Sequence, residues 1–321
     1  MIGGFAVAGA FYHYVLFAVG ARTANGKFQA SILNVVNRTE DAPAQYRIFV
    51  PETLNWFEQH TPLSLEQVTI LFDGAVLALG VGLGVMLLRA RGLKLLTLPA
   101  LLYCAFMIVG MMSYPHPETI AAFVCVNLAL FALVRPPAAE DWWPPVLVWG
   151  MLVLAAAALT GLRTDLLFAL AAGFAVRWLR GRQLPDLVAA IGLGLTAVVA
   201  TLAVVRLFPA AKYPSDTDVV QITWNLGAYP FVVALCFLAP ALGPLALLLR
   251  QSNQVESLQR AAQADVALIA VIAGEFATSV VVGRINEIRL LFPVTFCLIL
   301  VGAELWRAMI QSLDREPVRI E

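Results

Sequence analysis

Asp186-Leu187-Val188-Ala189-Ala190-Ile191-Gly192-Leu193-Gly194-Leu195-Thr196-Ala197-Val198-Val199-Ala200-Thr201-Leu202-Ala203-Val204-Val205-Arg206-Leu207-Phe208 reads as one unbroken apolar run. No charge lies between Asp186 and Arg206, and the only hydroxyls are those of Thr196 and Thr201. The hydrocarbon core of a bilayer is spanned by about 20 such residues in a helix. In lipid the backbone must satisfy its own polar groups, which leaves helices and closed barrels. The run does not alternate apolar with polar, so its period favours a helix.

Comparable runs recur near 2–20, 65–88, 95–113, 119–134, 145–161, 165–180, 228–249, 264–282 and 290–311. The expected fold is all-α: a polytopic transmembrane bundle of about ten spans. It forms one integral membrane domain over 1–321, with no linker of low complexity. The runs 119–134 and 165–180 are short enough for re-entrant segments. Met1 to Gly20 lacks the basic start of a signal peptide and reads as a retained first helix. Composition agrees, at 60% hydrophobic and 13% charged residues with a mean hydropathy of +0.82. Soluble domains carry about 25% charged residues. A net charge of zero argues against a nucleic-acid partner. Cys104, Cys125, Cys236 and Cys297 each sit inside an apolar run, without CxxC spacing, and read as buried free thiols.

Orientation follows from the basic residues near helix ends. Arg89, Arg91 and Lys94, then Arg135, then Arg177, Arg180 and Arg182, then Arg250 and Arg260, and finally Arg307, Arg315 and Arg319 fall on one side when ten spans are counted, against nine of the 21 basic residues on the other. That side is expected to be cytoplasmic, with both termini on it, in a bacterial inner membrane. The first outer loop then covers about 21–63 and a second covers about 209–227.

Charges in the outer loops are harder to account for. Gly161-Leu162-Arg163-Thr164-Asp165 places an Arg and an Asp between two apolar runs. Gly283-Arg284-Ile285-Asn286-Glu287-Ile288-Arg289 places two Arg and a Glu before Phe292-Pro293. Charges at such depth need partners and mark functional sites; the alternative is structural ion pairing. In the first loop, 28–36 and 48–57 read as short interfacial helices, the second opened by Pro51-Glu52. Glu40 and Asp41, then Tyr46 and Arg47, fall between them. Carboxylates there suit a catalytic base or a metal ligand for a substrate whose tail lies in lipid.

One span, then a long outer loop with paired acids between interfacial helices, resembles the GT-C class of membrane glycosyltransferases. The residues that carry the resemblance are Asp41, Tyr46, Arg47 and Pro51, with Asn286-Glu287-Ile288-Arg289 and Pro293 later. The same set resembles uncharacterised bacterial multispan proteins grouped with that class. The resemblance implies a sugar moved from a polyprenyl-phosphate donor at the extracytoplasmic face, with membrane lipid and that donor as partners. It implies Asp41 as catalytic base or ligand of a divalent cation such as Mg²⁺ or Mn²⁺, with Glu40 beside it. Arg47, Arg163, Arg284 and Arg289 would hold the phosphate, because a guanidinium makes paired charge-assisted hydrogen bonds. Tyr46, Glu287 and Asp165 would support them. The chain is shorter than is usual in the class and has no soluble outer domain.

Two other readings stay open. A transporter or flippase would use Asp73 and Glu275, carboxylates inside apolar runs, as coupling groups, although no inverted repeat is visible. A non-catalytic subunit of a membrane complex would pair its outer charges locally. Within the spans, an internal carboxylate bonded to an Arg or hydroxyl is the structural alternative for both acids. Gly80, Gly82 and Gly84 read as close helix packing. Trp56, Trp142 and Trp143 read as interfacial aromatics needing no site.

Overall fold

The computed structural model describes residues 27–40, 47–90, 117–134, 145–210, 226–232, 266–282, 297, 300 and 301. Among them every regular element is an α-helix: α1 (Lys27–Val36), α2 (Phe49–His60), α3 (Leu65–Ala90), α4 (Pro117–Leu133), α5 (Pro145–Thr160), α6 (Thr164–Gly181), α7 (Leu184–Leu207) and α8 (Val266–Val282). The two short helices of the first loop stand where the sequence placed them, as do the runs that became α3 to α8. The runs at 2–20, 95–113 and 290–311 lie outside the described residues or nearly so. The same holds for 228–249 beyond its first turn.

Two helices, Leu65–Arg89 and Leu184–Leu207, are long and apolar enough to cross a membrane. Three shorter apolar helices accompany them, Ala121–Leu133, Val146–Thr160 and Val266–Val280. Among the described residues, α7 leaves Val188, Ile191, Leu195, Val199 and Leu202 exposed along one side. The core helix of a soluble protein would bury these, whereas lipid accepts them. The opposite face, with Ala189, Leu193, Ala197, Ala200 and Val204, is buried against its neighbours.

α6 is the central element of the described part, packing against both α7 and α8. α4 similarly packs between α3 and α5. The core gathers Leu87, Leu130, Leu159, Leu167, Phe174 and Leu268. Small residues set the α6–α8 distance. A Cβ added at Gly173 would lie 2.6 Å from Val271 Cγ2, and one at Gly274 would lie 3.2 Å from the Ala169 backbone. In lipid, where no hydrophobic force acts between helices, close backbone approach is a main source of association. The close packing expected of Gly82 in α3 is not found among the described residues, since a Cβ there would meet nothing within 4 Å. Nearby, the Gly80 carbonyl accepts a buried hydrogen bond from Asn127 Nδ2 of α4 (3.3 Å).

A basic residue secures the end of the bundle away from α2. Arg177, on α6, donates from Nη1 to the carbonyls of Ala132 and Leu133, both at 2.6 Å. These are among the last carbonyls of α4, which lack intrahelical donors. The same guanidinium pairs with the buried Asp186 at the start of α7 and lies over the Phe174 ring at 4.9 Å. Three helix ends thus meet on one side chain. Arg182 closes α6 in a left-handed conformation, φ 51°, and its side chain covers the Trp178 ring.

Candidate functional site

The other end of the bundle holds the sequence-derived site residues that the structure describes. α2 docks through its first amide. Phe49 N–H donates to the carbonyl of Gly161, just past the end of α5, at 3.1 Å. An orphan donor of one helix start meets an orphan acceptor of another helix end. The approach is so close that a Cβ at Gly161 would sit 3.0 Å from Phe49 Cβ. Nearby, Arg38 lies over the ring of Phe208, just past α7, at 5.8 Å. Thr201 of α7 donates to the Thr164 hydroxyl at 3.3 Å.

The turn between α5 and α6 carries the charges. Arg163 is buried, with 7% of its surface exposed. Its Nε lies 3.2 and 3.1 Å from the two carboxylate oxygens of Asp165, and its Nη2 also pairs with that carboxylate. Nη2 reaches further, to Glu275 Oε1 on α8, at 2.7 Å. Glu275 has no solvent exposure at all. Its second oxygen, Oε2, has no hydrogen-bond partner among the described residues. Burial works against the charge on Arg163, but the fields and hydrogen bonds of Asp165 and Glu275 outweigh it and raise its pKa above the ordinary value. The Arg47 guanidinium also acts on Asp165 electrostatically. Arg163, Asp165 and Glu275 therefore link the α5–α6 turn to α8.

A groove of about 500 Å³ borders this turn, between α2 and the end of α5. Phe49, Glu52, Thr53 and Trp56 of α2 line one side, and Thr160 and Gly161 the other.

Of the expected site residues, Arg163 and Asp165 come together at this end, and the charge of Arg47 acts on Asp165 from the first loop. Glu40 is described, shortly after α1 ends at Val36, and is half-buried. Asp41, Tyr46, Arg284, Glu287 and Arg289 lie outside the described residues. Among the described residues no three His, Cys, Asp or Glu side chains gather to hold a metal ion. Asp41, the one ligand the resemblance implied, lies outside them. Asp73 and Glu275 are both buried, and Glu275 has the Arg partner that the structural alternative required. Cys125 and Cys297 are buried free thiols, while Cys104 and Cys236 lie outside the described residues. Sequence reasoning did not find the groove, because its lining belongs to segments far apart in the chain. The spacing Phe49, Glu52, Thr53, Trp56, which puts four side chains on one helical stripe, was the available signal.

No protein-family model, curated protein or solved structure matches this chain.

Proposed function

We propose that this chain is an extracytoplasmic-face membrane glycosyltransferase of the GT-C kind, using a polyprenyl-phosphate sugar as donor. In this reading the bundle has about ten spans, both termini are cytoplasmic and the membrane is a bacterial inner membrane. The observation that carries it is the open groove bordered by the turn of the buried Arg163–Asp165–Glu275 cluster, at the helix ends next to the first loop. A site that binds a lipid-borne polar substrate needs this combination: an entrance at the membrane surface and fixed charge close to it.

The reaction assigns each group a task. The acceptor hydroxyl attacks the anomeric carbon of the donor sugar, and the bond from that carbon to the phosphate oxygen breaks. The Asp41 carboxylate takes the hydroxyl proton. The lipid phosphate leaves as an anion and needs positive charge. Arg47, with Arg284 and Arg289, supplies that charge. Nε and Nη2 of Arg163 are committed to Asp165 and Glu275, so Arg163 acts by holding the turn and the Asp165 carboxylate in place. The charge of Arg47 acts on Asp165 through its field. A divalent cation, if used, would be held by Asp41.

The test is turnover by the purified protein in nanodiscs, given a panel of radiolabelled polyprenyl-phosphate sugars. Label should leave the donor lipid, and Asp41→Asn should abolish this while leaving expression and thermal stability unchanged. No turnover with any donor, or full activity in Asp41→Asn, contradicts the proposal. The burial of Asp73 and Glu275 inside apolar helices favours transport as the second reading. In that case, reconstituted vesicles would move substrate without chemical change, and Glu275→Gln would stop the flux.

A further inference from the structure

We infer that the groove between α2 and the α5–α6 turn is a subsite for a neutral sugar ring, an assignment that rests on the transferase reading and specifies which part of the substrate enters here. Its lining offers acceptors and ring faces. Thr53 Oγ1 already donates to the Phe49 carbonyl and Thr160 Oγ1 to the Ala157 carbonyl, both at 2.6 Å. Each hydroxyl has one hydrogen, so both turn only lone pairs to the groove. Glu52 adds a carboxylate. No Lys or Arg is among the described lining residues. A phosphate would meet a carboxylate and lone pairs with no cation to hold it, so the phosphate of a lipid-linked substrate belongs elsewhere. A ring bearing several hydroxyls supplies the donors that these acceptors can use.

The aromatic side chains fit the same ligand. Phe49, Glu52, Thr53 and Trp56 recur at helical spacing along one face of α2. Trp56 stays 53% exposed although two neighbours fix its plane. His60 stacks on it at 4.5 Å and 19°, and Phe57 meets it edge-on at 5.0 Å. His60 is itself held, with Nδ1 2.7 Å from the Trp56 carbonyl. A fixed indole beside a carboxylate matches the two sides of a pyranose, whose C–H face is apolar and whose edge is hydroxylated. About 500 Å³ is larger than a small ammonium headgroup needs and is within the range of small-molecule sites.

Saturation-transfer NMR on the full chain in nanodiscs tests this. The probes are the methyl glycosides of glucose, galactose, mannose and N-acetylglucosamine, with phosphocholine and inorganic phosphate run alongside. At least one glycoside should receive saturation at its ring C–H protons. Trp56→Ala should weaken that binding about tenfold or more, equivalent to about 1.4 kcal/mol. Glu52→Gln should weaken it about threefold, within the range of one lost hydrogen bond to a charged acceptor. Trp56→Phe should retain intermediate affinity, and Gln59→Ala, outside the lining, should leave it unchanged. Binding of no glycoside, binding of phosphocholine or phosphate alone, or indifference to Trp56→Ala overturns the subsite. Donor turnover unchanged by Trp56→Ala removes the subsite and leaves the transferase reading. Glycoside binding that needs Trp56, without turnover of any donor, supports the subsite and removes the transferase reading.

Discussion

At the scale of single residues, the cluster of Arg163, Asp165 and Glu275 is the least replaceable feature. A buried ion pair costs desolvation on both sides, and removing one partner leaves the other charge in an apolar surrounding. Glu275 is fully buried and its known partner is Arg163. Arg163→Ala should therefore destabilise the protein by about 3–5 kcal/mol. Glu275→Gln keeps an acceptor for Arg163 and should cost clearly less. The double variant Arg163→Met with Glu275→Leu removes both charges and should recover most of the loss. Thermal unfolding in detergent measures the three variants, and an Arg163→Ala protein as stable as the parent contradicts the pairing. Half of this cluster was legible in the sequence. An Arg and an Asp in a turn of very few residues demanded a partner, and a carboxylate inside an apolar run demanded another. That the two demands answer each other could not be read, because the pair closes across 112 positions. No periodicity carries such a distance.

At the scale of helices, α6 and α8 are held by shape. Gly173 and Gly274 remove the side chains that would keep the backbones apart, and the approach brings Glu275 within reach of Arg163. Gly173→Ala places a methyl 2.6 Å from Val271 Cγ2 and 3.1 Å from the Ala267 carbonyl oxygen. It should cost about 1–3 kcal/mol through forced displacement. Gly173→Leu should separate the helices and weaken the Arg163–Glu275 contact as well. Gly192→Ala in α7 has open space among the described residues and should instead be neutral or stabilising, by up to about 1 kcal/mol. Comparing melting temperatures of the glycine variants checks the assignment, and equal effects at Gly173 and Gly192 would remove it. The positions of α1 to α8 were largely readable, because apolar length and period are local properties. Which glycine meets a neighbour was not, since that depends on how each helix is rotated. Gly82, inside the glycine-rich stretch, meets none of the described residues, whereas isolated Gly173 does the packing.

At the scale of the molecule, the two ends of the described bundle differ in chemistry. One end carries Arg177, Arg180 and Arg182, with Arg177 binding the carbonyls that end α4 and the acid that begins α7. The other carries α2, the groove and the buried charged turn. In the proposed reading the end with Arg177, Arg180 and Arg182 is cytoplasmic, by the rule that basic residues at helix ends favour that side, and the groove faces the other way. The catalytic proposal and the sugar subsite both need that sidedness, since a lipid-linked donor presents its headgroup on one leaflet. The most direct measurement is cysteine accessibility in intact cells with a membrane-impermeant maleimide. Gln59 lies exposed on α2, and Arg182 lies exposed just past α6. Gln59→Cys should label in intact cells, and Arg182→Cys only after the membrane is opened. Labelling of Arg182→Cys in intact cells with Gln59→Cys protected would contradict the account, because the groove and its charges would then face the cytoplasm.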